Sequence, residues 1–263
     1  MPGRATSDPT STFRVTTYNI LDGGIGRADP IAEVLLAQRP DVVCLVEADD
    51  AEVRDRIAWR LGFDQIAATG RQGRTSCLMT RGTILSSANL ANKKSPRSLL
   101  ACEVELDGFE LGVAVAHFTG RASEERETER EREAASLLEA ATAWRQKGVP
   151  HVLAGDFNST APDQKIDASR LPPKVLPHYE ANGRSIPRRV IAKLLDAGYA
   201  DALAVRNSDA NTTATFTTRC PGMRLDYILT RGFDVVAAAV EHDRLAKAAS
   251  DHFPVTAELR RFA

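Results

Sequence analysis

Aromatic residues make up only 6% of this chain, and outside its apolar runs they form no evident platform on which bases could stack. Cysteine is equally sparse. Cys44, Cys77, Cys102 and Cys220 lie far apart without C-x-x-C spacing, which argues against a zinc knuckle or a redox pair; Cys44 and Cys102 sit in strand-like apolar runs and read as buried, reduced thiols. Neither sign of charge is in excess: the formal net charge is −1, which speaks against binding nucleic acid by bulk charge and leaves only a local basic surface for that purpose. Residues 1–12 are polar and rich in Pro, Ser and Thr, with no apolar run suited to a signal peptide or membrane span. They are expected to be a disordered lead-in, and the protein soluble and cytoplasmic. No Pro/Gly/Ser-rich linker divides the remainder, so 13–263 reads as one domain, and 43% hydrophobic content is enough for one large core.

What the chain does have is a series of apolar strands that end in polar groups. In His151-Val-Leu-Ala-Gly-Asp-Phe-Asn158, three apolar residues suit a sheet interior, Gly155 permits close approach, and Asp156 and Asn158 follow at strand spacing. On its own this could be a simple turn. The pattern recurs, however. Phe13 to Ile20 is rich in β-branched and aromatic residues and closes with Asn19; Asp41 to Val46 is a continuous apolar strand that ends in Glu47. Leu99–Leu106 and Phe109–His117 flank Asp107-Gly108, a strong hairpin signal that excludes a purely parallel sheet, and the second of these strands ends in His117. Arg224 to Thr230 is a strand that carries Asp226 among apolar neighbours. A carboxylate buried there needs a partner, for which His252 is the natural candidate, beside Asp251 and just before the last strand.

Helices are expected at Asp29–Ala37, with Asp29 as N-cap and Pro30 in the first turn, at Ala51–Leu61, at Ser123–Lys147 and at Val190–Ala197. The charge run Glu124–Glu133 reads as a solvated face laced with i,i+4 pairs and no function. Short strands are expected at Phe63–Ala68, Thr75–Thr80, Thr83–Leu85, Thr212–Thr218 and Phe233–Val240. Residues 161–191 are irregular and carry Lys165, Arg170, Lys174, Arg184, Arg188 and Arg189 against Asp163, Asp167 and Glu180. They read either as a basic surface insertion or as a wall that attracts an anionic substrate to the adjoining Asp156.

Asn19, Glu47, His117, Asp156 with Asn158, Asp226, and Asp251 with His252 thus stand at or beside strand ends, which can converge on one rim. The set is acidic, contains amides and imidazoles but no Ser or Cys nucleophile, and suits a hard divalent cation and a phosphate better than acyl transfer.

Thr17-Tyr-Asn-Ile20, the strands ending in Glu47 and His117, Gly155-Asp-Phe-Asn158, Arg224-Leu-Asp-Tyr-Ile228 and Ser250-Asp-His-Phe-Pro254 make the chain resemble the endonuclease/exonuclease/phosphatase superfamily. The pieces occur in that family's order and span nearly everything after Thr12. The resemblance implies an α/β fold, a four-layer sandwich of two mixed sheets packed face to face with helices outside. It also implies a Mg²⁺- or Mn²⁺-dependent phosphoesterase acting on a phosphate ester, nucleic acid among the candidates, with no membrane span and no obligate protein partner.

By the same resemblance Glu47 is the main metal ligand, with Asn19 and Asp251 assisting, and Asp156 orients or deprotonates the attacking water. Asn158 holds that water or the phosphate, Asp226 orients and charges His252 on the phosphate, and His117 binds a phosphate oxygen or helps the leaving group. Whether Asp156 or His252 takes the proton stays open. The family often carries Gln before its metal-binding Glu, and here that residue is Val46. A nuclease-like phosphodiesterase leads, with a lipid or small-molecule phosphodiesterase and a catalytically silent binding module as alternatives.

Overall fold

The fold was analysed in a computed structural model, which describes residues 11–92 and 96–262. Most of the expected lead-in lies outside these residues. Thr12, assigned to that lead-in, is already the first residue of a strand and pairs with Arg260.

In chain order the strands are β1 (Thr12–Asn19), β2 (Val42–Val46), β3 (Asp64–Thr69), β4 (Thr75–Thr80), β5 (Thr83–Asn89), β6 (Leu99–Leu106), β7 (Phe109–His117), β8 (His151–Asp156), β9 (Ala200–Asp201), β10 (Asp226–Arg231), β11 (Phe233–Val240) and β12 (Val255–Arg261). The α-helices are α1 (Ala28–Gln38), α2 (Ala51–Leu61), α3 (Glu124–Ala140), α4 (Thr142–Lys147), α5 (Leu176–Ala181), α6 (Arg189–Asp196), α7 (Ala202–Arg206) and α8 (Arg244–Ala249). The strands form two six-stranded sheets, ordered β11-β12-β1-β2-β4-β3 and β5-β6-β7-β8-β10-β9. Both are mixed, since β1–β2 and β7–β8 run parallel and the other pairs antiparallel.

Strand parity builds the layers. Alternate residues of a strand face opposite sides of its sheet, so Val42, Cys44 and Val46 of β2 enter the core between the sheets while Val43 and Leu45 face the outer side. There Ile31, Leu35 and Ile57 of α1 and α2 cover them. In the second sheet Val113, Val152, Ala154 and Ile228 point to the shared core, whereas Ala114, Leu153 and Leu229 pack under Leu137, Trp144 and Val190 of α3, α4 and α6. Helix, sheet, sheet, helix is the four-layer α/β sandwich expected from the sequence.

Local signals explain most boundaries. Asp107 and Gly108 both take positive φ, 52° and 81°, as the two central residues of a tight hairpin turn with right-handed strand twist require. Asp50 caps α2 by accepting from Val53 N–H at 2.9 Å, and Gly62 ends it at φ 69°. At Gly155 a Cβ would lie 1.9 Å from the Ala116 carbonyl oxygen, so glycine is what lets β7 and β8 approach.

Several expectations are corrected. Asp29 lies inside the first turn of α1, and its N-cap is Arg27. The helix expected over Ser123–Lys147 is broken at Ala141, so α4 can turn Trp144 onto Gly112, where any Cβ would strike the indole. β5 continues four residues past Leu85, and Thr212–Thr218 makes only isolated bridges through Phe216, to Met223 and His252. Most consequentially, the charge run is not solvated throughout: Glu127, Arg130 and Glu133 are buried. Arg130 donates to Glu127 and to the carbonyls of Thr119 and Arg121, and Glu133 accepts from the Thr119 N–H and hydroxyl.

Among the described residues no helix is long and apolar enough to cross a membrane.

Candidate functional site

The parity that buries the core also creates the site. Along β1, Phe13 and Val15 face the second sheet, and two positions beyond Thr17 the same row ends in Asn19. Likewise Val113 and Val115 lead to His117, Val152 and Ala154 to Asp156, and Ile228 back to Asp226. Polar groups therefore replace apolar ones where the interface between the sheets reaches one rim of the sandwich. Register then sets them side by side. His117 pairs with Asp156 in the parallel β7–β8 ladder, and Asp226 pairs with Asp156 in the antiparallel β8–β10 ladder.

Asn19 joins the two sheets, its amide nitrogen donating to Asp156 Oδ2 at 3.1 Å and to Glu47 Oε1 at 3.2 Å. Its carbonyl oxygen accepts from Leu21 N–H, so Asn19 offers N–H groups to both carboxylates and bridges them. Glu47 leaves β2 with φ 53°, a turn that aims its carboxylate at the rim. Glu47 Oε2 accepts from Asp22 N–H at 3.1 Å and lies 3.2 Å from Arg74 Nη1. The preceding Val46 is a core residue, and these three groups supply the support its side chain cannot. Arg74 is itself held by Asp22 and Asp49.

On the opposite flank His252 Nδ1 and Asp226 Oδ2 are 2.8 Å apart, and His252 Nε2 lies 3.8 Å from Asp156 Oδ2. His117 Nε2 stands 3.8 Å from that same oxygen and 3.9 Å from Glu47 Oε1. Asn158 donates its backbone N–H to Asp156 Oδ1 at 2.8 Å and its amide to the Phe118 carbonyl. Asn19, Glu47, His117, Asp156, Asn158, Asp226 and His252 are thereby one connected group. Asp251 is beside it in sequence, but no hydrogen bond ties its carboxylate to Glu47.

Three residues near this group escaped the sequence reading. The Ser250 hydroxyl donates to the Asn19 carbonyl at 2.6 Å and accepts from His252 N–H, locking the last loop to β1. It was visible inside Ser250-Asp-His. Arg74 comes from a loop with no periodic signal; Phe216, whose ring centroid is 4.7 Å from the His252 ring, lies in the alternating Thr212–Thr218 run, but the alternation did not point to the site.

Electrostatics separates the titratable groups. Burial, reinforced by the neighbouring Asp226 charge, pushes the Asp156 carboxyl up to about 7. For His252 burial works toward the neutral ring, but Asp226, with Asp156 and Asp251, outweighs it and raises the imidazole to about 10. His117 goes the other way: burial depresses it to about 4, against the pull of Glu47. Glu47 is lowered because His117, the Asp22 N–H, Arg74 and Asn19 together overcome its burial. Burial raises Asp251 against the opposing charges of His252 and Lys174.

The donor set fits a hard divalent ion. Asp226 Oδ1, Asp251 Oδ1 and His117 Nδ1 are buried without a hydrogen-bond partner, and Glu47 keeps 14% of its side chain open at the rim. Asp156, Asp226 and His252 also place one ligand atom each within 4.8 Å of one another. Two of those groups, Asp226 and His252, already hydrogen-bond each other.

Two mixed sheets between helix layers, with a rim of acids, amides and imidazoles, define a nuclease-like α/β sandwich. The model of the Endonuclease/Exonuclease/phosphatase family matches residues 16–252, and the chain belongs to that family. A search of curated proteins gives no match. Solved structures agree on the fold. An endonuclease/exonuclease/phosphatase from Beutenbergia cavernae is similar at 22% identity, covering 95% of this chain and 72% of that one, with TM-score 0.72. The human Nocturnin catalytic domain with bound sulfate is similar at 20% identity over 98% of this chain and 96% of that one, TM-score 0.71. Truncated Caenorhabditis elegans TDP2 is similar at 17% over 95% and 97%, TM-score 0.69.

Proposed function

We propose that this protein hydrolyses phosphodiesters at the rim formed by Asn19, Glu47, His117, Asp156, Asn158, Asp226 and His252, with Mg²⁺ or Mn²⁺ as cofactor. The observation that carries the reading is the cross-strand register that sets His117, Asp156 and Asp226 side by side while Asn19 joins Asp156 to Glu47 across the sheets.

Glu47 would hold the ion, with Asp251 contributing its unpartnered oxygen. When bound, such an ion offsets charge on the phosphate and its leaving oxygen. The protein's own groups do the rest. Asp156, raised to about 7, has the affinity of an effective general base near neutral pH and takes the proton of the attacking water. His252, kept protonated by Asp226, donates its Nε2–H to a non-bridging phosphate oxygen and offsets the growing negative charge. Neutral His117 hydrogen-bonds a second oxygen from the opposite side, and Asn158, oriented by the Phe118 carbonyl, helps place the water. Attack and departure in line then need no covalent intermediate.

The names of the similar structures do not decide the substrate here, but a nucleic-acid strand suits the basic 161–191 segment beside Asp156 better than a neutral ester does. The test is hydrolysis of bis(p-nitrophenyl) phosphate with Mg²⁺ or Mn²⁺, with and without chelator. Asp156→Ala and His252→Ala should stay folded and each lose at least about 10²-fold in kcat. Wild-type rates in either variant would remove that residue from the mechanism.

A further inference from the structure

Of the basic residues in 161–191, several are engaged within the protein. Arg188 donates to the carbonyls of Ala161 and Pro162, Arg189 pairs with Glu124 and Glu131, and Arg170 pairs with Asp167. Lys174 is different. It is exposed, and it stands between Leu171 and Val175, which sink into a small core shared with Phe216, Met223 and Leu225. That core anchors the segment directly behind the site. Lys174 Nζ lies 5.4 Å from the Phe216 ring centroid, and Phe216 in turn lies 4.7 Å from the His252 ring. The ammonium is therefore no farther from the His252 ring centre than those two distances laid end to end, and its charge is already felt at Asp251. Neighbouring phosphates of one strand are joined through a single sugar, so an ammonium within that distance of the His252 ring can reach the phosphate next to the one on His252.

We propose that Lys174 is a substrate-binding residue that contacts a second phosphate adjacent to the scissile one, making the site selective for substrates with neighbouring phosphates. Phe216 fixes the lysine relative to His252, so the contact reports on spacing as well as charge. This rests on the phosphodiesterase reading above only for which phosphate is cleaved; the binding itself can be measured without turnover.

The experiment has two readouts. In chelator, equilibrium binding of a fluorescein-labelled ten-nucleotide oligothymidylate is followed by anisotropy across a salt series. Wild type, Lys174→Ala, Lys174→Arg and Lys147→Ala are compared. Lys147, exposed at the end of α4 beside the start of β8, removes the same charge at the other end of the strand that carries Asp156. Lys174→Ala should weaken binding about fivefold to tenfold and reduce the slope of log K against log salt by about 0.7, the loss of one single-strand phosphate contact. Lys174→Arg should restore both, and Lys147→Ala should change neither beyond about twofold. With metal, Lys174→Ala should raise KM for the oligomer about fivefold to tenfold and lower kcat/KM for the oligomer more than for bis(p-nitrophenyl) phosphate, which has no second phosphate, while Lys147→Ala should leave both as in wild type. Competition by glycerophosphoinositol 4-phosphate, against glycerophosphoinositol, identifies the source: loss of Lys174 sensitivity with the inositol pair but not the oligomer assigns a nucleic-acid strand, and the reverse assigns a lipid headgroup. Equal affinity and salt slope in wild type and Lys174→Ala for both ligand types would overturn the proposal. No hydrolysis of any ester by wild type would overturn the phosphodiesterase reading, leaving the binding result to stand or fall alone.

Discussion

Removing the Glu127 carboxylate should cost this protein far more than removing an exposed charge of α3. Glu127 accepts from Arg130 Nε at 2.9 Å, from Val190 N–H at 3.1 Å and from the Ser159 hydroxyl at 3.4 Å, and both members of the pair are fully buried. In Glu127→Ala the Arg130 guanidinium stays in the interior with two backbone carbonyls but no hydrogen-bonded counter-charge, a loss of about 3–5 kcal/mol. With a urea m-value of about 3 kcal/mol/M, the unfolding midpoint should fall by more than about 1 M. Glu125→Ala, on the exposed face of the same turn, should move it by less than about 0.2 M. The double variant Glu127→Leu/Arg130→Met removes both charges and should recover most of the loss, a coupling of about 2–3 kcal/mol in the four-member cycle. Equal midpoints for Glu127→Ala and Glu125→Ala, or strictly additive single changes, would refute the view that this pair is a buried unit.

Gly155→Ala places a methyl 1.9 Å from the Ala116 carbonyl oxygen at a φ of 141°, so it should destabilise by at least about 3 kcal/mol, whereas Gly148→Ala, at φ 68° with open space, should cost about 1 kcal/mol; thermal melts distinguish them. The Asp226–His252 pair predicts a pH effect in chelator. The folded His252 pKa of about 10 lies above the ordinary 6.5, so its stabilisation is fully present below about pH 6.5 and is lost as pH rises through 10. The stability gap between wild type and Asp226→Asn should therefore narrow between those limits by up to about 1.4 kcal/mol per pH unit, and parallel urea-derived stability curves would contradict it.

Much of the candidate site was legible because it obeys strand parity. Val152, Ala154 and Asp156, or Val113, Val115 and His117, are single rows whose last member changes character, and a period of two is readable without coordinates. The hairpin at Asp107-Gly108 was legible for a similar local reason. What could not be read depends on contacts distant in sequence. Arg74 reaches Glu47 from a loop without a period, and Phe216 reaches His252 from an alternating run that forms only isolated bridges instead of the expected strand. The charge run was misread because polarity was taken for exposure. Glu127, Arg130, Ala134 and Leu137 lie on one helical stripe, and the charged half of it is buried against the 119–121 turn rather than against apolar groups. Those buried charges hold the backbone beside Asn158, whose amide depends on the Phe118 carbonyl.

The most direct test of a single metal-assisted site uses the five imidazoles as reporters in a Mn²⁺ titration followed by NMR. His117, 3.9 Å from Glu47, and His252, next along the rim, should broaden at substoichiometric Mn²⁺ in wild type and stay sharp in Glu47→Gln. His151, bound to Tyr199 at the far end of β8, should stay sharp in both. Sharp His117 and His252 signals in wild type, or broadening that survives Glu47→Gln, would contradict a cation held at Glu47 within that rim.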